Sequence, residues 1–324
     1  LMVLFFHMLP HWELTPTLAA FSGITQWGFA GVDIFFALSG FVVYRSARHA
    51  VPAQGIWLFV KRRLLRIYLG YWPVLLLIAI TTVFAYHSSL PPLKKMVFSA
   101  LLLYPNIWDN WLLPAWSLTM EIYFYLWIAA IAMLPQRHQL KAIIFGLALL
   151  ATWGAGWLVA NHSAVFAGQQ PLRYALTGLG IEFLAGALVA YLYEGRPQPF
   201  RRPYIAIATC VGFMAAGIAL GMTSPYFDRV EVMRAGSFGV AGIAALVAAL
   251  ALEQTRHTPP HWLVTLGDAS FSLYLLHTFL LDFSGKVRMA LGIASPEGLL
   301  ASPLAPPIAT VPISAVWDSW VEKP

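Results

Sequence analysis

Apolar stretches long enough to cross a lipid bilayer recur along almost the whole chain, and they constrain its fold more than any other feature. A membrane helix needs about 20 mainly apolar residues. The stretches that meet or approach this length are 27–44, 67–86, 115–134, 142–160, 174–193, 204–222, 236–252, 263–283 and 299–317. Only 10% of the 324 residues are charged and 59% are hydrophobic, whereas soluble domains carry about 25% charged residues. This composition excludes disordered and coiled-coil chains and argues strongly against a soluble enzyme.

Two further apolar runs are too short to span. The run 1–9 stands at the very start, so we expect the chain to begin inside its first membrane helix, with its natural start upstream. The run 96–108 is interrupted by Pro105 and Asn106, which favours a re-entrant or partial helix. The sequence therefore predicts an all-α polytopic membrane protein with about ten transmembrane helices plus one short partial helix. The last stretch, 299–317, contains four prolines and departs from a smooth apolar helix.

The distribution of basic residues predicts the orientation. If 96–108 does not cross, 13 of the 20 Lys and Arg residues lie on the side of the loop 45–66, and seven lie on the other. If it crosses, the split is 11 to 9. Because cytoplasmic loops are enriched in Lys and Arg, we expect both termini and the basic loop 45–66 to be cytoplasmic.

Ionisable residues at membrane depth are costly and mark candidate functional sites. His7 lies in the first apolar run, with His11 four residues later on the same helical face. An imidazole can take and return a proton near neutral pH, although a histidine hydrogen-bonded inside a bundle fits equally. Glu121 lies inside the apolar segment 115–134, four residues after Ser117, and requires a partner across the bundle or a raised pKa. A structural ion pair or hydrogen bond explains it as well as a direct chemical role does.

Other polar residues are supporting candidates for the same site. Asp33 follows Gly31 and precedes Ser39 and Gly40, and a helix-end anchor explains it as well as a functional role does. Trp116 lies beside Ser117. Ser270, Tyr274 and His277 share one face of the segment 263–283 by their spacing. The single cysteine, Cys210, excludes a CxxC-type metal site, and we expect no bound metal.

A cluster of arginines opens the segment 67–86. Arg63 and Arg66 are three residues apart, Arg62 and Arg66 four, so each pair shares a helix face. Such a cluster sets membrane orientation, and it also suits a phosphate ligand such as a coenzyme A thioester, because guanidinium groups bind phosphates bidentately. Tyr68 lies two residues after Arg66 and is a further candidate for donor binding.

These segments, in this order, resemble the acyltransferase 3 family of membrane-bound acyltransferases. The matching pieces are VLFFH at 3–7, GFAGVDIFFALSGF at 28–41, RRLLRIY at 62–68, PAWSLTMEIYF at 114–124, SFSLYLLH at 270–277 and WVEKP at 320–324. The match covers essentially the whole chain and implies a single acyltransferase domain over 1–324.

The resemblance implies O-acyl transfer, usually of acetyl, from cytoplasmic acyl-CoA to a saccharide or another cell-envelope molecule. It places the family's essential histidine on His7 and its donor-linked arginines on Arg63 and Arg66. Glu121 is expected as a second catalytic group that orients a partner. Acyl-CoA would be a substrate rather than a bound cofactor, and no nucleic acid is expected as a partner. The family also has a first-helix arginine upstream of the histidine, which this chain starts too late to contain.

The residues alone leave a second class open. A proton-coupled exporter of a lipid or glycan intermediate could use His7, Glu121 and His277 as a relay. The chain shows no inverted pair of broken helices of the kind found in many transporters. We therefore prefer an enzyme of the bacterial cytoplasmic membrane.

Overall fold

The computed structural model describes residues 2–12, 25–103, 110–161, 176–194, 199–223, 231–255 and 258–290. In these ranges the regular structure is helical throughout, with no strand. The α-helices, in chain order, are α1 Met2–Trp12, α2 Gly31–Gln54, α3 Ile56–Ile80, α4 Leu93–Ala100, α5 Ala115–Met133, α6 Gln136–Asn161, α7 Leu179–Tyr193, α8 Pro203–Met222, α9 Glu231–Arg234, α10 Val240–Glu253, α11 His261–Asp268 and α12 Ser270–Ala290. A 3-10 turn, Gly28–Ala30, leads into α2, and π-helical segments follow α3 at Thr81–Ala85 and α9 at Ala235–Gly239.

Among the described residues, six helical stretches are long and apolar enough to cross a membrane. They are Gly28–Gln54, Ile56–Ala85, Ala115–Met133, Gln136–Gly156, Pro203–Met222 and Val232–Glu253. The pair α11 and α12, bent by 67°, makes a seventh if it counts as one span, and α7 is a shorter apolar helix. The predicted all-helical class is confirmed for the described residues. The count of about ten crossings stays a prediction, since 299–317 lies outside them.

The prediction of a loop at 45–66 was wrong, because both flanking helices continue into this segment. Helix α2 extends to Gln54 and α3 begins at Ile56, so Gly55 is the one residue between them. Gly55 has φ of +84°, a conformation that a residue with a side chain rarely adopts. Helices can continue through arginines because the aliphatic stem of arginine packs along apolar surface while its guanidinium reaches water.

The chain divides into two compact units. The first comprises Leu1–Phe29, Leu64–Thr119 and Pro259–Pro324, and the second comprises Ala30–Arg63 and Met120–Thr258. In the first unit, α1 packs on α12. Leu4 of α1 forms a small buried hydrophobic cluster with Leu273 and Leu281 of α12. The partial helix expected at 96–108 corresponds to α4, which spans only eight residues. Positions 104–109 lie outside the described residues.

The second unit is built on a close crossing of α2 and α7. A Cβ atom added to Gly40 would collide with the backbone of Phe183, and one added to Gly186 would collide with the backbone of Ala37. Small residues that allow such close approach are typical of helix packing in membranes. Ser39, which is half-buried, adjoins Gly40 at this crossing, and the fully buried Asp33 lies six residues earlier on α2.

Candidate functional site

The first unit joins two histidines that are 270 residues apart in the chain. His277 Nε2 lies 3.2 Å from His7 Nδ1, and the two ring centroids are 4.9 Å apart. His277 is buried, whereas His7 is half-buried. The sequence predicted both residues as site candidates, but not that they contact each other.

Two backbone carbonyl groups determine which ring nitrogen carries the hydrogen. His277 Nδ1 lies 2.6 Å from the carbonyl oxygen of Tyr274, and His7 Nδ1 lies 2.9 Å from that of Val3. Because a carbonyl oxygen only accepts hydrogen bonds, each Nδ1 must be the donor. In the neutral rings, His277 Nε2 is then an acceptor, and the single Nδ1–H of His7 is shared between the Val3 carbonyl oxygen and His277 Nε2. The basic nitrogen of His7 is therefore Nε2, and no described residue is hydrogen-bonded to it.

Tyr274 and Ser117 share one acceptor in the first unit. The Tyr274 hydroxyl donates to the carbonyl oxygen of Pro114 at 3.2 Å, and the Ser117 hydroxyl donates to the same oxygen at 3.1 Å. Pro114 precedes α5, so these bonds tie the start of α5 to α12. The Tyr274 ring also lies 5.8 Å from that of His277. Both predicted supporting residues thus hold backbone in place beside the histidine pair.

Glu121 occupies the interior of the second unit. Its Oε1 accepts hydrogen bonds from the Ser39 hydroxyl at 3.2 Å and from the Tyr125 hydroxyl at 2.9 Å. The carboxyl group is 4% exposed, so these bonds offset part of the cost of burying it. Ser39 was a predicted supporting residue, whereas Tyr125 was missed. Its spacing of four residues from Glu121 on one helix was the available signal.

Asp33 forms a buried ion pair that the sequence did not identify. Arg234 donates to both carboxylate oxygens of Asp33, through Nε at 2.8 Å and through Nη2 at 2.6 Å. Asp33 is fully buried and Arg234 is 9% exposed. A fork of this kind is the strongest arrangement for such a pair. Asp33 thus joins the start of α2 to α9, which favours the anchoring interpretation of this residue.

The predicted donor-binding residues lie along the first half of α3. Arg62 donates a hydrogen bond to the side-chain oxygen of Gln54, and the Arg63 guanidinium lies 5.5 Å from the centre of the Phe59 ring. Arg66 is exposed one turn later. The Tyr68 hydroxyl donates to the carbonyl oxygen of Leu101 at 2.8 Å, a structural contact.

Two candidates remain, Trp116 and His11. Trp116 is half-buried in the first turn of α5. Helix α1 continues past Pro10 to Trp12, which places His11 on it as expected, although the His11 side chain lies outside the described residues.

Comparison with known proteins identifies the family. The Acyl_transf_3 family model, described as an acyltransferase domain, matches residues 1–317. The exopolysaccharide production protein ExoZ of Rhizobium meliloti is 28% identical over 86% of this chain and 84% of its own length. The peptidoglycan O-acetyltransferase OatA of Listeria monocytogenes is 24% identical over 77% of this chain but only 44% of its own. No solved structure matches significantly.

The family match confirms the resemblance inferred from the six sequence motifs, and it favours the enzyme over the transporter. The family model extends over both compact units, so it includes the histidine pair as well as the buried Glu121 cluster. The chain belongs to the acyltransferase family Acyl_transf_3.

Proposed function

We propose that the chain is a membrane O-acyltransferase that moves an acyl group, in the first place acetyl, from acyl-CoA to a hydroxyl of a cell-envelope saccharide. The family match supports acyl transfer, and the relatives named for exopolysaccharide production and for peptidoglycan O-acetylation support a saccharide acceptor. The histidine pair carries the proposal, because it leaves a basic imidazole nitrogen without a protein partner among the described residues.

In this mechanism His7 is the general base. Its Nε2 takes the proton of the acceptor hydroxyl while the oxygen attacks the thioester carbonyl carbon. The carbon–sulfur bond then breaks, and coenzyme A leaves as a thiolate. The proton held on Nε2 passes to this thiolate, so the imidazole returns to its starting state. His277 and the Val3 carbonyl hold the His7 ring in place throughout.

A covalent route uses the same nitrogen. Nε2 would attack the thioester carbonyl carbon, the carbon–sulfur bond would break and coenzyme A would leave as a thiolate. The acceptor hydroxyl would then take the acyl group from Nε2, the acyl–nitrogen bond would break, and the hydroxyl proton would pass to the thiolate. The two routes differ in whether labelled acyl-CoA alone labels the protein. The covalent route is identified if the wild-type protein retains the label and the His7→Gln variant does not.

The donor would be held by its phosphates. Arg63 and Arg66 are the first candidates, with Arg62 beside them, because guanidinium groups suit bidentate contact to phosphate. The charge distribution favours a cytoplasmic position for this end of α3, so the donor would come from the cytoplasm. The enzyme would reside in the bacterial inner membrane, with both termini in the cytoplasm. This orientation is tested with the variant His49→Cys, since His49 is exposed. A thiol reagent that does not cross the membrane is added from one side or the other, and the side that labels the cysteine is recorded.

The central experiment replaces His7. In the full natural chain, His7→Gln is expected to abolish acylation of envelope saccharides, measured by mass spectrometry, while protein insertion is unchanged. His261→Gln is the matched control, because His261 is exposed at the start of α11. Full activity in a well-inserted His7→Gln protein would overturn the proposed role.

A further inference from the structure

The second unit contains a cavity, lined by both apolar and polar side chains, that the proposed mechanism does not use. Its volume is about 720 Å³, within the range of about 300–1,000 Å³ typical of small-molecule sites. Its walls are formed by the end of α2, the start of α3 and the junction of α5 with α6. Arg48, His49, Gln136 and Gln139 supply its polar lining, and Val51, Ile56 and Leu134 supply part of its apolar lining.

The surroundings of the cavity are basic. None of the described residues that line it carries a carboxylate. Arg62 reaches its edge through the hydrogen bond to Gln54, which precedes the lining residue Gly55. Helices α3 and α6 begin at its wall and α2 and α5 end there, so the opposite partial charges of these helix ends offset one another and the positive charge comes from the side chains. An anion is the ligand that this charge distribution favours.

One acidic residue modifies this charge. Glu194 lies 3.2 Å from Arg48 through one oxygen and 2.7 Å from His49 Nε2 through the other. The carboxylate of Glu194 therefore competes for the two cationic or donor groups that an anion in the cavity would contact. The apolar wall and the two glutamine amides suit the face and the edge of a nucleobase.

We propose that this cavity binds the phosphorylated nucleotide end of the acyl-CoA donor, with Arg48 as a phosphate contact and Glu194 as its competitor. This inference rests on the proposed function, which supplies acyl-CoA as the donor. It adds to Arg63 and Arg66 a site lined by other residues, from the end of α2, the start of α3 and the junction of α5 with α6. The Gln139 amide is fixed for this role, since its oxygen accepts from Tyr44 at 2.7 Å and its nitrogen donates to the Leu134 carbonyl at 2.9 Å.

The first test compares fragments of the donor. The full natural chain in nanodiscs of zwitterionic lipid is titrated calorimetrically with coenzyme A, in the presence of adenosine 3′,5′-bisphosphate or of pantetheine. The proposal expects the bisphosphate to compete and pantetheine to compete far less. Competition by pantetheine alone would overturn it.

The second test uses two variants with opposite expected effects. Arg48→Gln is expected to weaken coenzyme A binding about ten-fold or more, since it removes a charge-assisted contact. Glu194→Gln is expected to strengthen binding about three- to ten-fold, because it frees Arg48 and His49. If Arg48 and Glu194 served structure alone, breaking the pair at either end would not strengthen binding. The control is Arg45→Gln, which changes an exposed arginine of α2 outside the cavity lining.

The outcomes separate this inference from the proposed function. If coenzyme A binds and both variants match the wild type, the cavity assignment fails while the donor assignment holds. If coenzyme A does not bind at all and acyl transfer persists, the donor assignment fails and the cavity assignment falls with it. Anionic lipid that is retained by the wild type and lost from Arg48→Gln, with donor affinity unchanged, would assign the cavity to a lipid headgroup and overturn the proposal.

Discussion

His277 accepts a hydrogen bond from His7 at 3.2 Å, and its own second nitrogen donates to a backbone carbonyl. The buried histidine therefore acts as a fixed acceptor, and its partner is held as the tautomer with a basic Nε2. In the mechanism proposed here, His277 is a positioning residue. It acts on the reaction only through His7.

A glutamine at position 277 should retain this function in part. The amide oxygen of His277→Gln can accept from His7 Nδ1–H, whereas His277→Leu offers no acceptor. We expect His277→Leu to lower kcat about ten- to a hundred-fold, with a much smaller change in KM for the donor, and His277→Gln to lie between it and the wild type. Nitrogen NMR of the His7 ring, assigned by difference from His7→Gln, reports the tautomer directly.

The same pair of variants detects other roles of His277. If His277 itself transferred a proton, Gln would be as inactive as Leu. If His277 only filled space, the His277→Leu variant would reduce the amount of folded protein, but kcat and the nitrogen NMR spectrum of His7 would be unchanged.

Glu121 should stabilise the second unit through its two hydroxyl donors. Tyr125→Phe removes one donor and is expected to lower the free energy of unfolding by about 1 kcal/mol. Glu121→Leu leaves both hydroxyls without this acceptor and should cost about 2–3 kcal/mol. Thermal unfolding in detergent measures both, and Tyr123→Phe on the same helix is the control. Additive effects of Tyr125→Phe and Glu121→Leu would contradict a direct interaction.

The sequence predicted the helical class, because it depends on local signals, and the same signals suggested candidate site residues, whose roles stay predictions. Apolar runs located the long helices, and charged or polar residues inside them indicated His7, Asp33, Glu121 and His277. The partners of these residues were harder to predict. Arg234 is 201 residues from Asp33, and His277 is 270 residues from His7. Such pairings depend on which helices pack together, and periodicity within one helix carries no information about that.

The prediction at 45–66 failed for a related reason. Hydropathy treats arginine as a signal to leave the membrane, so the basic segment was interpreted as a loop. The helical backbone satisfies its own hydrogen bonds and continues wherever long side chains can reach water. The cavity was missed because its walls come from two separate parts of the chain, within residues 48–56 and 132–139.

The ion pair of Asp33 and Arg234 should be costly to break from one side. Asp33→Asn leaves a buried arginine without its charged partner, and we expect a loss of about 3–5 kcal/mol in the free energy of unfolding. The double variant Asp33→Leu with Arg234→Met should lose much less, since it buries no charge. Asp282→Asn, which breaks an exposed pair with Lys286, is the control and should cost less than about 1 kcal/mol. Denaturation by SDS measures these differences, and equal losses at the two sites would contradict the expectation.

The crossing of α2 and α7 should tolerate no side chain at its two glycines. Gly40→Ala and Gly186→Ala each place a methyl group against backbone, which cannot rotate away as a side chain can. We expect each to lower the free energy of unfolding by about 1–3 kcal/mol or more, and to displace Ser39, next to Gly40, from Glu121. Activity should fall with stability for that reason. Gly212→Ala on α8 is the matched control, because a methyl group there meets no atom within 4 Å and alanine favours a helix by up to about 1 kcal/mol. If Gly40→Ala proved as stable and active as Gly212→Ala, the close crossing would not be what positions Ser39.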